Sequence, residues 1–531
     1  VNSLIKHNVK NVFGISGGSI MPVIDEFYKN DKICLFINSH EQHSGHSATG
    51  YAKSSDKTGV AIVTSGPGIT NMLTPMLDAT NDSTPLLVIS GQVSKNAMGK
   101  DAFQEAPAIE LSKNVTKWSY QIQEVNEIEE IMDKAFFIAN DKKRGAVHID
   151  IPKCISSEII SSSNIKHNRN SILDNLHNIL NIEKNMIISH KNILNVANFI
   201  NKSKKPLIIL GQGCANANMY VSHFIKKSNI PVTSTIHGCG IFDEHHPLSL
   251  RWCGMHGSAA ANYAIQEADC IIALGSRFDD RTTGIINKYA PKAVENSGII
   301  HVNIEPNEIN KVINTNYNFN MDCGSFIKTI LPFIEYRARL KWISKVNYLN
   351  NNYDFKFPKK SNKLLNMEYV LNEVYKQTLK KKVIFTTGVG NHQMQAYQFI
   401  KSQYPKKIIS SGSLGVMGAG LPYAIGVQIA NPDNLVICID GDSSFNMTSS
   451  DLKTIKEYNL PIKIMIMNNN AQMMVNVWEK LYFNERYCAT LSNFNPEYNS
   501  LAEAYGIPGV VCSNYKDLEN TINKLVNANG P

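Results

Sequence analysis

The sequence predicts an α/β protein of doubly wound parallel sheets. Short apolar runs of strand length alternate with amphipathic stretches of helical period along the whole chain, the pattern that βαβ crossovers leave in a sequence. Many of those runs end in a glycine turn, as in NVFGISGG, LLVISG, LIILGQG and LVICIDG, which is where such sheets place ligands. The 531 residues are too many for one core, so two to four domains are expected.

Three α/β blocks follow from the order of these runs. The first, 1–155, carries the strands NVFGIS, KICLFIN, GVAIVTS, TPLLVISG and AVHIDIP. Polar residues 156–191, with SSS and repeated Asn, predict a linker. The second block, 192–335, carries KPLIILGQG, PVTSTI, CIIALGS and GIIHVNI, and a second polar stretch, 347–363, predicts another linker. The third block, 366–531, carries VIFTTG, KIISSG, LVICIDG and IKIMIMN.

Composition narrows the function. The chain is 43% hydrophobic and 18% charged, ordinary values for a globular enzyme. Its net charge of +8 comes from dispersed lysines set among asparagines, without a basic block or an aromatic-basic stripe, so no nucleic-acid partner is expected. No apolar run reaches membrane-spanning length. The ten cysteines are scattered without a C-x-x-C pair, which predicts buried free thiols and an intracellular, reducing compartment rather than disulfides or a zinc site. No signal or transit peptide is read, but the chain opens at Val1 and stops at NGP after a helical stretch, leaving room for a leader and for a final segment.

The most telling stretch is 435–472. The strand LVICID runs into Gly441-Asp442-Ser443, and the strand IKIMIM ends in Asn468-Asn469-Asn470. If the two strands are parallel neighbours, Asp442 and Asn469 converge at one sheet edge as hard oxygen ligands for Mg²⁺, which completes its shell with waters or phosphate. The string DGDSSFNMTSSD is not a calcium loop, because Phe445 stands where an EF-hand needs glycine and Asp451 where it needs glutamate. Asp442 as a plain turn former is the rival reading. Glu41 follows KICLFIN and opens the helix EQHSGHSATGYA. A carboxylate there faces a strand-end cleft, or simply meets the helix dipole. SGGS (16–19), TSGPGITN (64–71), GVGNH (388–392) and GSLGVMGAG (412–420) are turns whose amides can approach a diphosphate. In the middle block LGQG, GMHG and GSRFDDR are weak dinucleotide signals, and Arg277, Asp279, Asp280 and Arg281 fit either a surface ion cluster or a grip on a charged cofactor.

Together these strings, with GQVSKNAMGKDAFQE, GMHGSAAAN, GSRFDDRTTG, LGVMGAGLPYAIG and MVNVW, resemble one family across nearly the whole chain. It is the thiamine-diphosphate-dependent decarboxylase/carboligase superfamily and, within it, the acetolactate synthase catalytic subunits. The resemblance implies pyrimidine-binding, central FAD-binding and diphosphate-binding domains, with thiamine diphosphate, Mg²⁺ and FAD as cofactors. It implies a homodimer or homotetramer with active sites between subunits, and allows for a regulatory subunit. The implied reaction decarboxylates pyruvate on thiamine diphosphate and condenses the hydroxyethyl carbanion with a second pyruvate or with 2-ketobutyrate, the first common step toward valine, leucine and isoleucine. Glu41 matches the glutamate that promotes the imino tautomer of the cofactor's aminopyrimidine. Met417 matches the residue that props the cofactor's bent form, with core filling as the alternative. Asp442, Asn469 and the carbonyl of Ala471 match the Mg²⁺ ligands, and Gly390, Asn391, His392, Gly441 and Ser443 the diphosphate contacts. Gly18, Phe103, Gln104 and Lys153 match pocket residues, and Met474, Val475 and Trp478 the substrate channel, Lys153 being otherwise a solvated lysine at a domain end and Trp478 a core aromatic. Gly211, Gly213, Met255, His256, Gly275, Arg277, Asp279 and Arg281 match a largely structural FAD set.

Seven positions depart from the family pattern: His43, Ser94, Lys143, Asn303, Asn391, Gln395 and Met473. They bear on FAD affinity and channel shape and leave the proton-transfer and metal residues intact. The rival activities are a pyruvate-oxidase-like oxidoreductase and a non-catalytic paralogue acting as an assembly partner; Glu41 argues against a glyoxylate carboligase.

Overall fold

The computed structural model describes residues 1–159, 190–361 and 364–531. Most of the first predicted linker lies outside them. The chain forms three sheets. The first contains β1 (Asn11–Gly14), β2 (Cys34–Ile37), β3 (Gly59–Val63), β4 (Leu86–Gln92), β5 (Trp118–Gln121) and β6 (Ala146–Pro152), in the order β2-β1-β3-β4-β6-β5. The second contains β7 (Pro206–Leu210), β8 (Val232–Ser234), β9 (Ser249–Trp252), β10 (Cys270–Leu274), β11 (Ile299–Asn303) and β12 (Tyr317–Asn320), in the order β12-β11-β10-β7-β8-β9. The third contains β13 (Val383–Thr387), β14 (Ile408–Ile409), β15 (Leu435–Gly441) and β16 (Lys463–Met467), in the order β14-β13-β15-β16. The pairings are parallel, as in β1 with β3, β7 with β10, and β13 with β15 and β16. Central strands such as β3 and β4 are buried along their whole length, which is why they read as unbroken apolar runs.

The chain divides into two compact units. One comprises the described residues of Val1–Leu176, Ser361–Ala396 and Ile409–Pro531; the other those of His177–Lys360 and Tyr397–Ile408. The first and third sheets thus belong to one unit with a shared core, in which Phe13, Tyr51 and Met72 lie with Tyr423, Ile425 and Phe445. The contact is closest where helix Glu41–Ser55 meets helix Gly420–Ala430. A Cβ on Gly50 would stand 2.5 Å from the Tyr423 carbonyl oxygen, and one on Gly426 would stand 1.8 Å from that of Ser47. Two glycines, one per helix, therefore let the backbones touch. This explains why the weakly apolar helix Glu41–Ser55 is buried from His43 to Ala52: its small side chains fill a narrow gap.

In the second unit helix Leu340–Tyr353 buries Trp342, Val346 and Leu349, and Trp342 Nε1 donates to the Pro206 carbonyl at 2.9 Å. The stretch predicted as a linker from residue 347 therefore begins as helix, its polar appearance coming from the outward face. The sequence also missed β5, β9 and β12, which lie at sheet edges and lack the long apolar runs of central strands. All ten cysteines are free, but Cys34 and Cys488 are exposed. Cys34 departs from the expected burial because β2 is an edge strand. Among the described residues no helix is long and apolar enough to cross a membrane.

Candidate functional site

The strand register sets the geometry of segment 435–472. β15 and β16 are parallel neighbours with Gly441 opposite Met467, so Asp442 and the run Asn468–Ala471 leave the sheet side by side. Asp442 is the first residue of helix Asp442–Phe445 and is buried, whereas Asn469 is exposed. The Asn469 Oδ1 accepts from the Ala471 amide at 3.1 Å. Ala471 forms an antiparallel bridge with Leu491, in which Gln472 N donates to Thr490 O and Ser492 N to Asn470 O, both at 2.8 Å. Those bonds belong to its neighbours, so the Ala471 N–H and C=O both point away from the bridge partner, on the side of Asn469. Asp442, Asn469 and the Ala471 carbonyl thus form a set of hard oxygens with a single carboxylate. Among the described residues no group of three His, Cys, Asp or Glu side chains gathers as a metal site; this set is not of that kind.

The rest of the rim is built by close backbone approach. A Cβ on Gly388, just past β13, would meet Asp440 Oδ1 at 2.0 Å and Ser444 Oγ at 2.2 Å, and one on Gly441 would meet His392 Nδ1 at 2.7 Å. Ser444 Oγ accepts from the Gly418 amide at 2.8 Å. His392 is buried near the start of helix Asn391–Phe399, and its Nε2 lies 3.2 Å from Asp440 Oδ1 without a hydrogen bond to it. That nitrogen is buried without a hydrogen bond beside the Asp440 carboxylate, and the ring stands between a strand-end glycine turn and a helix start, elements whose backbone amides suit a phosphate.

Glu41 begins its helix after β2, with His40 as N-cap accepting from Gln42 N at 3.1 Å. Its Oε2 accepts from Asn71 Nδ2 at 3.0 Å. Asn71 ends the TSGPGITN turn, so two of the quoted strings converge on one carboxylate. That turn is also fastened to the SGGS turn, where Ser19 Oγ accepts from Ser65 N at 2.9 Å and stands 3.0 Å from Thr64 Oγ1. Gly18 opens to free space, and a Cβ on Gly66 would stand 3.0 Å from the Gln104 Cα. Glu41, Gly18 and Gln104 are therefore brought to the C-terminal rim of the first sheet. Lys153 follows β6 at the same rim and is exposed, and Phe103 is 89% exposed.

The loop before Met417 is held by two buried aspartates. Asp82 accepts from Lys53 Nζ at 2.7 Å and from the amides of Gly412 and Ser413 at 2.9 Å. Asp78 accepts from Ser411 Oγ at 2.5 Å and from the Tyr423 hydroxyl, and burial pushes its carboxyl above the usual range. Ser411 Oγ in turn accepts from the amides of Gly415 and Val416. The loop leading into Met417 thus hangs from helix Leu73–Asn81 and its C-cap. Sequence reasoning missed both aspartates, although their spacing of four puts them on one helix face. Asp82→Ala leaves the Lys53 ammonium, only 8% exposed, without its carboxylate; the expected loss is about 3–5 kcal/mol of stability, read as a lower denaturant midpoint.

Asp451 was also missed. It is buried and accepts from Ser39 N at 2.9 Å and Asn38 Nδ2 at 3.0 Å, tying the strand end before Glu41 to the segment just after Asp442. Helix Met473–Tyr482 carries Met474, Val475 and Trp478, and none of its residues is buried. Trp478 is 41% exposed and stacks on Tyr482, which removes its alternative as a core aromatic.

In the second unit the LGQG and GSRFDDR turns pack on each other. Gly213 N donates to Gly275 O at 3.2 Å, Gly275 has φ +61°, and a Cβ on Gly211 would stand 2.1 Å from the Gly275 oxygen. Asp279 caps helix Asp280–Thr283 through the Thr282 amide. Arg281 Nη1 touches Met255 Sδ at 3.5 Å, and burial lowers the His256 pKa. Asn303 spends both ends of its amide locally, donating to Ser276 O and accepting from Glu305 N, each at 3.0 Å.

The fold and this rim define a thiamine-diphosphate-binding protein. Residues 1–111 match the thiamine pyrophosphate enzyme N-terminal TPP binding domain, 193–330 the central domain and 388–531 the C-terminal TPP binding domain. The chain is 39% identical to the mitochondrial acetolactate synthase of Schizosaccharomyces pombe, over 99% of this chain and 81% of that protein. It is 39% identical to the mitochondrial acetolactate synthase catalytic subunit of Saccharomyces cerevisiae, over 99% and 78%, and 35% identical to the acetolactate synthase isozyme 2 large subunit of Escherichia coli, over 100% and 93%. The chain belongs to the acetolactate synthase family of thiamine pyrophosphate enzymes.

Proposed function

We propose that this chain is an acetolactate synthase catalytic subunit that joins two pyruvates, or pyruvate and 2-ketobutyrate, with loss of CO₂. The carrying observation is the parallel register that sets Asp442 beside Asn469 and Ala471, and the full-length similarity to acetolactate synthases supports the choice of reaction. When bound, thiamine diphosphate supplies the electron sink through which a 2-keto acid loses CO₂ and becomes a nucleophile. Asp442, Asn469 and the Ala471 carbonyl would hold Mg²⁺. Gly390, Asn391, His392, Gly441 and Ser443 would hold the diphosphate.

Glu41 would share a proton with the cofactor's pyrimidine, oriented by Asn71. Met417 would support the cofactor from the loop that Asp78 and Asp82 fix. Gly18, Phe103, Gln104 and Lys153 would line the pocket, with the Lys153 ammonium available to a substrate carboxylate. Met474, Val475 and Trp478 would line the entry for the second keto acid. FAD would rest on the turns at Gly211, Gly213 and Gly275, beside Met255, His256, Arg277, Asp279 and Arg281, as a structural group. With Asn303 already spent on its own turn, FAD retention is expected to rest on those other residues.

The working form is inferred to be a homodimer or homotetramer. The side chains of Val475, Trp478, Leu481 and Tyr482 stand exposed on one helix, which supports a face covered by a second copy. The relatives' names, catalytic subunit and large subunit, support a companion regulatory subunit.

Purified protein given pyruvate, thiamine diphosphate, Mg²⁺ and FAD is expected to form acetolactate without consuming oxygen, and to stop when thiamine diphosphate or Mg²⁺ is omitted. Oxygen uptake in step with pyruvate loss would instead establish the oxidase, and no turnover with intact cofactor binding the assembly partner.

A further inference from the structure

The amide nitrogen of Asn495 stands inside a cage of three oxygens. It lies 2.7 Å from Asp442 Oδ2, 3.0 Å from Asn468 Oδ1 and 2.8 Å from Asn470 Oδ1. A carboxylate only accepts, so the Asn495 atom facing Asp442 is the nitrogen. An NH₂ group has two protons and cannot fully serve three acceptors; the cage keeps a surplus of lone pairs aimed inward, as the surroundings of a hard cation do.

The other end of Asn495 is braced. Its Oδ1 accepts from Asn446 Nδ2 at 3.2 Å, and Asn446 Oδ1 accepts from the Tyr498 hydroxyl at 3.2 Å. The Tyr498 ring meets Phe445 edge-on. Asn495 reaches the cage because the bridge of Ala471 with Leu491 folds the chain back over the strand ends. It engages one Asp442 oxygen, and among the described residues the other carries no hydrogen bond.

We propose that Asn495 is a positioning residue for the metal. It pins Asp442 through Oδ2 so that Oδ1 is presented to Mg²⁺, and it holds the Asn468–Ala471 turn at the spacing the ion needs. Groups that orient metal ligands from behind typically govern metal affinity by 10- to 100-fold. The role rests on the Mg²⁺–thiamine diphosphate function proposed above.

The test is a Mg²⁺ titration of the full chain at saturating thiamine diphosphate, following the quench of protein fluorescence, with thermal unfolding of the cofactor-free protein alongside. In Asn495→Ala the half-saturating Mg²⁺ concentration is expected to rise about 10- to 100-fold, with the cofactor-free unfolding midpoint close to that of the parent. Asn446→Ala, which removes only the brace, is expected to shift Mg²⁺ dependence in the same direction by less, and serves if Asn495→Ala does not fold. An unchanged Mg²⁺ dependence in both variants, with normal saturation in the parent, would overturn the proposal alone. Absence of Mg²⁺-dependent quenching in the parent would overturn the metal site itself, and the proposal with it.

Discussion

Glu41→Gln is expected to lower the rate of acetolactate formation by about 100- to 10 000-fold, the usual worth of a positioned proton-transfer group. The change is nearly isosteric. Glutamine keeps an oxygen for Asn71, which donates to Glu41 Oε2 at 3.0 Å, and leaves in place the His40 cap that begins the helix. Fold and cofactor binding should therefore persist while turnover is lost. Steady-state kcat, paired with the exchange rate of the bound cofactor's C2 proton, checks the assignment. Both should fall together, and an unchanged exchange rate would remove Glu41 from proton transfer.

Asp442→Ala is expected to raise the half-saturating Mg²⁺ concentration at least about 100-fold, the upper end of what is lost when a group behind a ligand is removed. It deletes the only carboxylate of the proposed oxygen set, and neither Asn469 nor a carbonyl replaces a full negative charge. Thiamine diphosphate binding should weaken with it, because the diphosphate would be held partly through the ion. The same fluorescence titration reads both effects. Asp442→Asn, which keeps an oxygen in place, should fall between the parent and the alanine variant.

How far the sequence revealed the molecule can be traced through particular residues. Central strands were legible because burial on both faces leaves unbroken apolar runs, as in LLVISG and CIIAL. Edge strands were legible only where they kept an apolar run, as β2 and β16 do; WSYQ of β5 is only half-buried and carries no such signature. The Asp442–Asn469 juxtaposition was legible because both residues directly follow strands that proved to be parallel neighbours. Asp78, Asp82, Asp451 and Asn495 were not, because each acts on a partner far away in sequence. Ser411 lies 333 residues from Asp78, and Asn38 lies 413 from Asp451. No local pattern carries such a pairing. The helix Glu41–Ser55 was legible as a helix, but its burial from His43 to Ala52 was not, since that depends on Gly426, far along the chain.

That backbone-to-backbone seam has a consequence for how the chain is made. Helix Glu41–Ser55 leaves the ribosome long before helix Gly420–Ala430 exists. At about 5–20 residues per second, roughly 365 further residues take about 20–70 s to synthesise. For that interval one face of the nascent N-terminal third has no cover, and the second unit is threaded out in between. The burial of that face is therefore a late event in synthesis, set by two glycines that lie more than 370 residues apart in the chain.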